Sequence, residues 1–298
     1  AIREENQYAR KNYFYADLPK GYQITQDKTP ICTGGYITIK TKEGAEKHIN
    51  LTRIHMEEDA GKSMHDQDPL DSLIDLNRAG VALLEVVSEP EIRSGEEAYA
   101  YLTEVRKLVR YLEICDGNME EGSMRCDANI SVRLRGDEKF GKRVEVKNMN
   151  SIRNVQRAIE YEIQRQIAEV EAGREISQDT RSFEAETGST FILRSKEMAN
   201  DYRYFPEPDL QPVMVTQDYI ESIRKNLPPL PQDLHKKYVL DFGLSEYDAS
   251  VITDNKETAL YFETLTTHTK NYKAAANWLM GPVRSFLNEN AIHLNQFP

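Results

Sequence analysis

Apolar and polar positions alternate with a period of two in several stretches, the signature of strands that bury one face. Residues 36–40, with Ile37 and Ile39 in step, and residues 48–58 read as two strands joined through the polar turn Lys42-Glu43-Gly44, which predicts a hairpin. Residues 73–76 and 81–87 read as a second pair around Arg78-Ala79-Gly80, and residues 181–195 as a third that turns at Thr187-Gly188. Two stretches switch to the helical period. Ser94-Gly95-Glu96-Glu97 matches a capping box, after which Ala98, Leu102, Val105, Val109 and Leu112 recur at helical spacing over 95–113. Ile152, Val155, Ile159, Ile163, Ile167 and Val170 mark one face of a second helix, with Gly173 as its stop.

The most regular alternation sets Met124, Cys126, Ala128, Ile130, Val132 and Leu134 against Arg125, Asp127, Asn129, Ser131, Arg133 and Arg135. It returns over 143–148, where Val144 and Val146 alternate with Arg143, Glu145 and Lys147. The two apolar parities must share a face, which leaves Arg125, Asp127, Asn129, Ser131, Arg143, Glu145 and Lys147 on one polar floor. A solvated sheet face accounts for that floor. So does a binding floor, a reading that Asp and Asn support because strands otherwise avoid them. Beyond residue 215 only short helical patterns follow, broken by Pro228-Pro229-Leu230-Pro231, Gly243 and Gly281-Pro282. The chain therefore predicts an α+β fold: a mixed or antiparallel-sheet domain with packed helices over 1–213, then a small all-α domain over 214–298.

Composition narrows the function. The chain has 298 residues, enough for two domains with a core each. Charged residues are 29% and mean hydropathy is −0.65, yet Ile, Leu, Val, Phe and Tyr are plentiful enough to exclude wholesale disorder. Cys32, Cys115 and Cys126 form no C-x-x-C or Cys/His spacing, which argues against a disulfide framework or a zinc site and suits a reducing cytoplasm. The longest apolar run, 81–87, is too short to span a bilayer, so no membrane association is expected. A net charge of −11 weighs against general nucleic-acid affinity and confines any such contact to a local patch.

Candidate chemistry gathers around His55-Met56-Glu57-Glu58-Asp59-Ala60-Gly61-Lys62. Ile54 and Met56 share a strand parity with Glu58, while Arg53, His55 and Glu57 share the other, so an inward Met56 makes Glu58 inward. In 81–87 a single carboxylate, Glu85, interrupts an apolar run, which is costly unless a cation or a metal pairs with it. A salt bridge to a nearby arginine is one reading; a metal pair with Glu58 is the other. Gly61-Lys62-Ser63 ends like a phosphate-binding loop, but Met56 stands where the first glycine is required. Glu58 and Glu85, with Glu120 or Glu121, facing Lys62, Arg125 and Lys147, suit Mg²⁺, nucleotide phosphates and phosphoryl transfer. Upstream, Arg10-Lys11-Asn12-Tyr13-Phe14-Tyr15 reads either as a packed tyrosine loop or as a stacking platform beside an anion site. The stretch 201–209, dense in aromatics and charge, reads as a binding or clamp loop.

The stretch 55–62, Asp75-Leu76-Asn77-Arg78, Glu85-Val86-Val87-Ser88-Glu89-Pro90, the run 119–129 from Met119-Glu120-Glu121-Gly122-Ser123 to Asn129, and Asp201-Tyr202-Arg203-Tyr204-Phe205-Pro206-Glu207-Pro208-Asp209 together closely resemble the GatB family, the B-type subunits of bacterial aspartyl/glutamyl-tRNA amidotransferases. The resemblance runs along almost the whole chain. It implies a cradle-shaped catalytic domain followed by a helical domain. It also implies the reaction: ATP phosphorylates the side-chain carboxylate of Glu misacylated onto tRNA-Gln, or of Asp on tRNA-Asn, and ammonia then displaces phosphate to give the amide. The implied partners are an amidase subunit that supplies the ammonia, a small subunit that clamps the two large ones, and the misacylated tRNA.

Carried over by motif position, Glu58 and Glu85 would be Mg²⁺ ligands. Arg125, Asp127 and Lys147 would act on the reacting groups, and Lys11, Tyr13, Lys62 and Asn129 would contact ATP. The family's Gly-Leu-Glu-Val-His type motif, which adds a Glu and a His to the metal site, is not in this sequence, nor is the tail that engages the tRNA body. The expectation is a chain that carries part of the site. A reading from another class makes the chain a non-catalytic scaffold that docks an amidase and tRNA, its acids serving only as ion pairs. The archaeal paralogue carries a domain inserted between cradle and helical parts, and residues 205–230 show no such insertion.

Overall fold

The computed structural model describes residues 1–64, 70–195 and 202–297, the side chains of residues 194 and 195 excepted. Asp201 of the aromatic motif lies outside them. The first strands are β1 (Glu5–Asn6), β2 (Ala9–Asn12), β3 (Tyr22–Thr25), β4 (Cys32–Thr33), β5 (Tyr36–Lys40) and the long β6 (Glu46–Glu58). They are followed by β7 (Lys62–Met64), β8 (Leu73–Asp75), β9 (Ala82–Ser88), helix α1 (Gly95–Tyr111), β10 (Ala128–Ile130), β11 (Val144–Lys147) and helix α2 (Ile152–Glu171). Then come β12 (Asp179–Glu184), β13 (Ser189–Ser195), β14 (Arg203–Pro206) and β15 (Val213–Met214). The remaining helices are α3 (Gln217–Asn226), α4 (Pro231–Leu240), α5 (Glu246–Thr253), α6 (Lys256–His268), α7 (Tyr272–Trp278) and α8 (Arg284–Asn290). The fold is mixed α and β with several small, mainly antiparallel sheets.

Contacts divide the chain into two compact units, residues 1–101 with 126–224 and residues 102–125 with 225–298. A single cut near 213 does not describe them, because most of α1 and the segment after it cluster with the C-terminal helices. In that second unit Tyr111, Tyr238, Ile252, Phe262, Ala276 and Leu279 build the core, and the Tyr111 hydroxyl donates to the Thr253 carbonyl at 2.7 Å. Among the described residues no helix is long and apolar enough to cross a membrane.

In the first unit β6 is the organising strand, since β4, β5 and β9 all pair with it. The β5–β6 hairpin forms as expected, with Ile39 and Ile49 buried. The expected pairing of 73–76 with 81–87 does not. β8 pairs with β7, and β9 runs antiparallel along β6. The Arg78-Ala79-Gly80 turn is held across to the end of β6, where Gly80 N–H donates to the Asp59 carbonyl, so it passes the chain from one sheet to the other.

A second sheet has the order β10-β11-β12-β13, with β11 and β12 parallel. Val144 and Val146 are fully buried opposite Ile130 and Ala128, so the two apolar parities do share a face. Exposure alternates from Met124 to Ile130, but the ladder covers only 128–130, and Leu134 is 71% exposed. The reason is the partner: β11 begins at Val144, opposite Ile130, and leaves later residues nothing to pair with.

Helix α2 starts on a Ser151 cap that accepts from Asn154 N–H. Its buried face differs from the apolar stripe. Ile152, Val155, Ala158, Glu162 and Gln166 are buried, whereas Ile167 and Val170 are exposed. The sheet beneath offers polar partners to that face: Arg181 and Thr190 meet Glu162, and the Ile130 carbonyl accepts from Gln166. A buried charge is tolerated where such partners are fixed.

Candidate functional site

Register on β6 and β9 decides which acids meet. His55 lies directly opposite Glu85, and Glu57, two residues on, shares their face. His55 Nε2 is 3.3 Å from Glu57 Oε2 and 3.6 Å from Glu85 Oε2. One ligand atom from each of the three lies within 4.8 Å of the others. The His55 side chain is buried and that of Glu57 is 9% exposed, whereas that of Glu85 is 51% exposed, so the cluster is closed at its base and open at its mouth. Thr25 on β3 donates its hydroxyl to Glu57 Oε2 at 3.0 Å. Burial pushes the Glu57 carboxyl up, but hydrogen bonds from His55 and Thr25 and the Lys11 ammonium more than offset it and hold the group below the ordinary glutamate range.

Aromatic residues and the Lys11 ammonium border this cluster on the side of β2. β2 pairs with both β3 and β14, which sets Lys11 beside Gln23 on one side and Tyr204 on the other. The Lys11 ammonium lies 4.5 Å from the Tyr202 ring centroid and 5.4 Å from that of Tyr13, and the two rings meet edge to face. Burial, with the charges of Asp17 and Glu57 among its neighbours, pushes the Tyr13 hydroxyl up to about 12. Burial and then the charges around it, Asp27, Glu57 and Glu85 among them, also raise the Tyr204 hydroxyl. The 202–206 stretch is thus a strand edge that delivers tyrosines to the acids, not a free loop.

The expected pair Glu58 and Glu85 is not brought together. Glu58 turns to the other side of β6, where its carboxylate accepts from the Ile24 N–H at 2.8 Å and pairs with Lys20. An inward Met56 would have made Glu58 inward too, but the inward residues of β6 are Ile49, Leu51 and His55. Met56 is half-buried, with its sulfur 3.6 Å from the Tyr8 hydroxyl. Glu85 does not lie in a buried strand either, since Val81, Leu84 and Val86 around it are exposed. His55 and Glu57 are the partners of Glu85 that sequence reasoning does not find; their shared parity is legible, but the register that sets them beside it is not.

The polar floor forms on the second sheet, apart from β6 and β9. Lys147 pairs with Asp127 and, at 3.3 Å, with Glu145, which also accepts from the Thr180 hydroxyl at 3.0 Å. Asn129 stands opposite Glu145. Burial lowers the Lys147 ammonium, but the two carboxylates outweigh it and raise the group overall. Arg125 is exposed and belongs to the other compact unit. Lys62 is exposed on β7, opposite Asp75.

The turn after β6 explains the Asp75-Leu76-Asn77-Arg78 motif. Arg78 donates to the Ala60 carbonyl at 3.0 Å and the Gly61 carbonyl at 2.9 Å, while Gly61 N–H donates to the Asp17 carbonyl. Asp75 turns the chain by accepting from the backbone and side-chain amides of Asn77. A Cβ on Gly61 would sit 2.9 Å from the carbonyl oxygens of both Asp17 and Asp75. Gly61→Ala is therefore expected to cost about 1–3 kcal/mol, read as a lowered urea midpoint of the β-rich unit; an unchanged midpoint would refute the close approach.

The donor set fits a hard divalent cation. Two carboxylates with one more polar group match Mg²⁺, which keeps waters and takes only one or two protein carboxylates. One oxygen from each carboxylate lies within 4.8 Å of the other, a span that a cation with metal–oxygen bonds of about 2.1 Å bridges after small side-chain shifts.

Comparison with known proteins gives these groups a context. The GatB/GatE catalytic domain family matches residues 1–221. A B-type subunit of aspartyl/glutamyl-tRNA(Asn/Gln) amidotransferase from Chlorobium limicola is 54% identical over 97% of the chain and 60% of its own length. Proteins of the same name from Alkalilimnicola ehrlichii and Persephonella marina are each 51% identical over 100% of the chain and 62% of their own length. The chain thus spans about three fifths of the length of these curated relatives. On the family match and on this identity, the chain belongs to the GatB/GatE catalytic domain family.

Proposed function

We propose that the chain is the part of a GatB-type amidotransferase subunit that phosphorylates the side-chain carboxylate of Glu-tRNA(Gln) or Asp-tRNA(Asn) with ATP and presents it to ammonia. The single observation that carries this reading is the His55, Glu57 and Glu85 cluster beside Lys11, inside the region that matches the family. Glu57 and Glu85 would hold Mg²⁺, which when bound offsets the repulsion between an acyl carboxylate and the phosphates of ATP. Lys11 faces the same charge from the protein side, steadied by the Tyr13 and Tyr202 rings. These rings also offer a face to a base.

On the floor, Lys147 held between Asp127 and Glu145 is a fixed donor toward an acyl carboxylate, and Asn129 adds an amide beside it. Lys62 would contact ATP phosphate as a point charge. Glu58 serves as the anchor of Lys20. The partners would be an amidase subunit, a small clamping subunit and misacylated tRNA, met in the cytoplasm, where three free cysteines stay reduced.

Calorimetry on the amidotransferase complex tests this reading against a docking scaffold. ATP is expected to bind with measurable heat in the presence of Mg²⁺ and to lose it when EDTA is added. A scaffold whose acids are only ion pairs gives no Mg²⁺-dependent heat.

A further inference from the structure

Residues 131–143 connect β10 to β11, and their charge runs against that of the chain. Arg133, Arg135, Lys139, Lys142 and Arg143 stand against two acids, Asp137 and Glu138, a net of +3 in a chain of −11. Every residue from Arg133 to Phe140 is exposed. The loop nevertheless has a built shape. Its stem closes so tightly that a Cβ on Gly141 would run into the Val132 carbonyl oxygen, and its tip turns where Asp137 N–H donates to the Leu134 carbonyl. Arg133 braces it by donating to the Glu138 carbonyl at 2.7 Å.

The side chains divide into held and free. The Arg133 guanidinium lies 4.6 Å from the Phe140 ring centroid and that of Arg93 lies 5.9 Å from it, yet the residue is still 52% exposed. Lys142 pairs with Glu175 at 2.6 Å. Among the described residues, the charged groups of Arg135, Lys139 and Arg143 have no partner. A held aromatic face beside unpaired cations suits a nucleic-acid strand, whose bases stack and whose phosphates pair. An acidic protein surface would satisfy the cations but give the ring nothing to stack on; a nucleotide satisfies both.

The place of the loop points the same way. Arg143 shares a strand parity with Glu145 and Lys147, so it continues the polar floor toward the loop. On the proposed function an acyl carboxylate meets Lys147, and the loop starts beyond Val144, three residues or about 10 Å away along β11. We propose that this loop holds the RNA that carries the acyl group, with Arg135, Lys139 and Arg143 on its phosphates and Phe140 under a base. It supplies the local basic patch that a chain of −11 needs to meet a polyanion. The inference rests on the reading of Lys147 as the donor toward the acyl carboxylate.

Binding of uncharged tRNA(Gln) to the reconstituted amidotransferase complex, followed against salt, tests it. Arg135→Gln with Lys139→Gln is expected to weaken binding about tenfold at physiological salt and to flatten the slope of log affinity against log salt by about 1.4, the share of two single-strand phosphate contacts. Arg135→Lys, which keeps the charge, is expected to keep the wild-type slope. Phe140→Ala is expected to weaken binding about tenfold at an unchanged slope, because a lost stack releases no counterion. An unchanged slope in the double variant would overturn the proposal. So would loss of the amidase subunit from that variant on size exclusion, which makes the loop a protein interface. Calorimetry with Mg²⁺ and ATP separates the two readings: a wild-type complex that gives no heat, while the double variant still loses slope, keeps the loop as an RNA contact and removes only the phosphorylation reading.

Discussion

Glu162→Ala is expected to destabilise the β-rich unit by about 3–5 kcal/mol, the cost of removing one partner from a buried ion pair. The Glu162 side chain is fully buried, and its carboxylate meets Arg165 through two hydrogen bonds at 2.9 Å and Arg181 at 3.1 Å. Thr190 donates to the same carboxylate, and Gln166 does so at 3.2 Å. Without Glu162, the Arg181 side chain, itself only 10% exposed, keeps Thr190 as a partner but loses its counter-charge.

Burial raises the Glu162 carboxyl, but the hydrogen bonds from Arg165, Thr190 and Gln166 outweigh it and lower the group beneath its ordinary value of 4.5. A carboxyl lowered in this way contributes its full stability above pH 4.5 and loses it as pH falls through the lower folded value. Urea unfolding of wild type and Glu162→Ala should therefore differ most near neutral pH and converge in acid. A gap below about 1 kcal/mol at neutral pH would mean that the pair is not stabilising.

On the proposed function, Glu85→Ala is expected to lower tRNA-dependent ATP hydrolysis by the reconstituted amidotransferase complex about a hundredfold or more, the usual consequence of removing a charge that serves the transition state. Its melting temperature should hardly move, because the side chain is half exposed and its neighbours on β9 are exposed as well. Glu57→Ala should match that loss of rate. Glu58→Ala should act differently, through Lys20 and the Ile24 amide, with a smaller loss of rate and some loss of stability. Should Glu58→Ala abolish turnover while Glu57→Ala retains it, the register-based assignment is wrong.

Much of the architecture is legible because it depends on local period and turn chemistry. The β5–β6 hairpin, both long helices, the β12–β13 hairpin and the shared apolar face of β10 and β11 follow from alternation, caps and glycine turns. The exchange of partners among β7, β8 and β9 is not legible, since a turn looks alike whether it closes a hairpin or carries the chain to another sheet. The burial of Glu162 is also hidden, because its partners Arg181 and Thr190 come from strands far along the chain.

The sequence by itself determined that His55 and Glu57 share one side of a strand and Glu58 the other, because side chains alternate whatever surrounds them. It also determined the motifs that place the chain in its family. Only the tertiary structure decided which side faces inward and what lies across from it. A period of two defines two faces, but the choice between them is made by the neighbouring strands, and here β9 set Glu85 opposite His55.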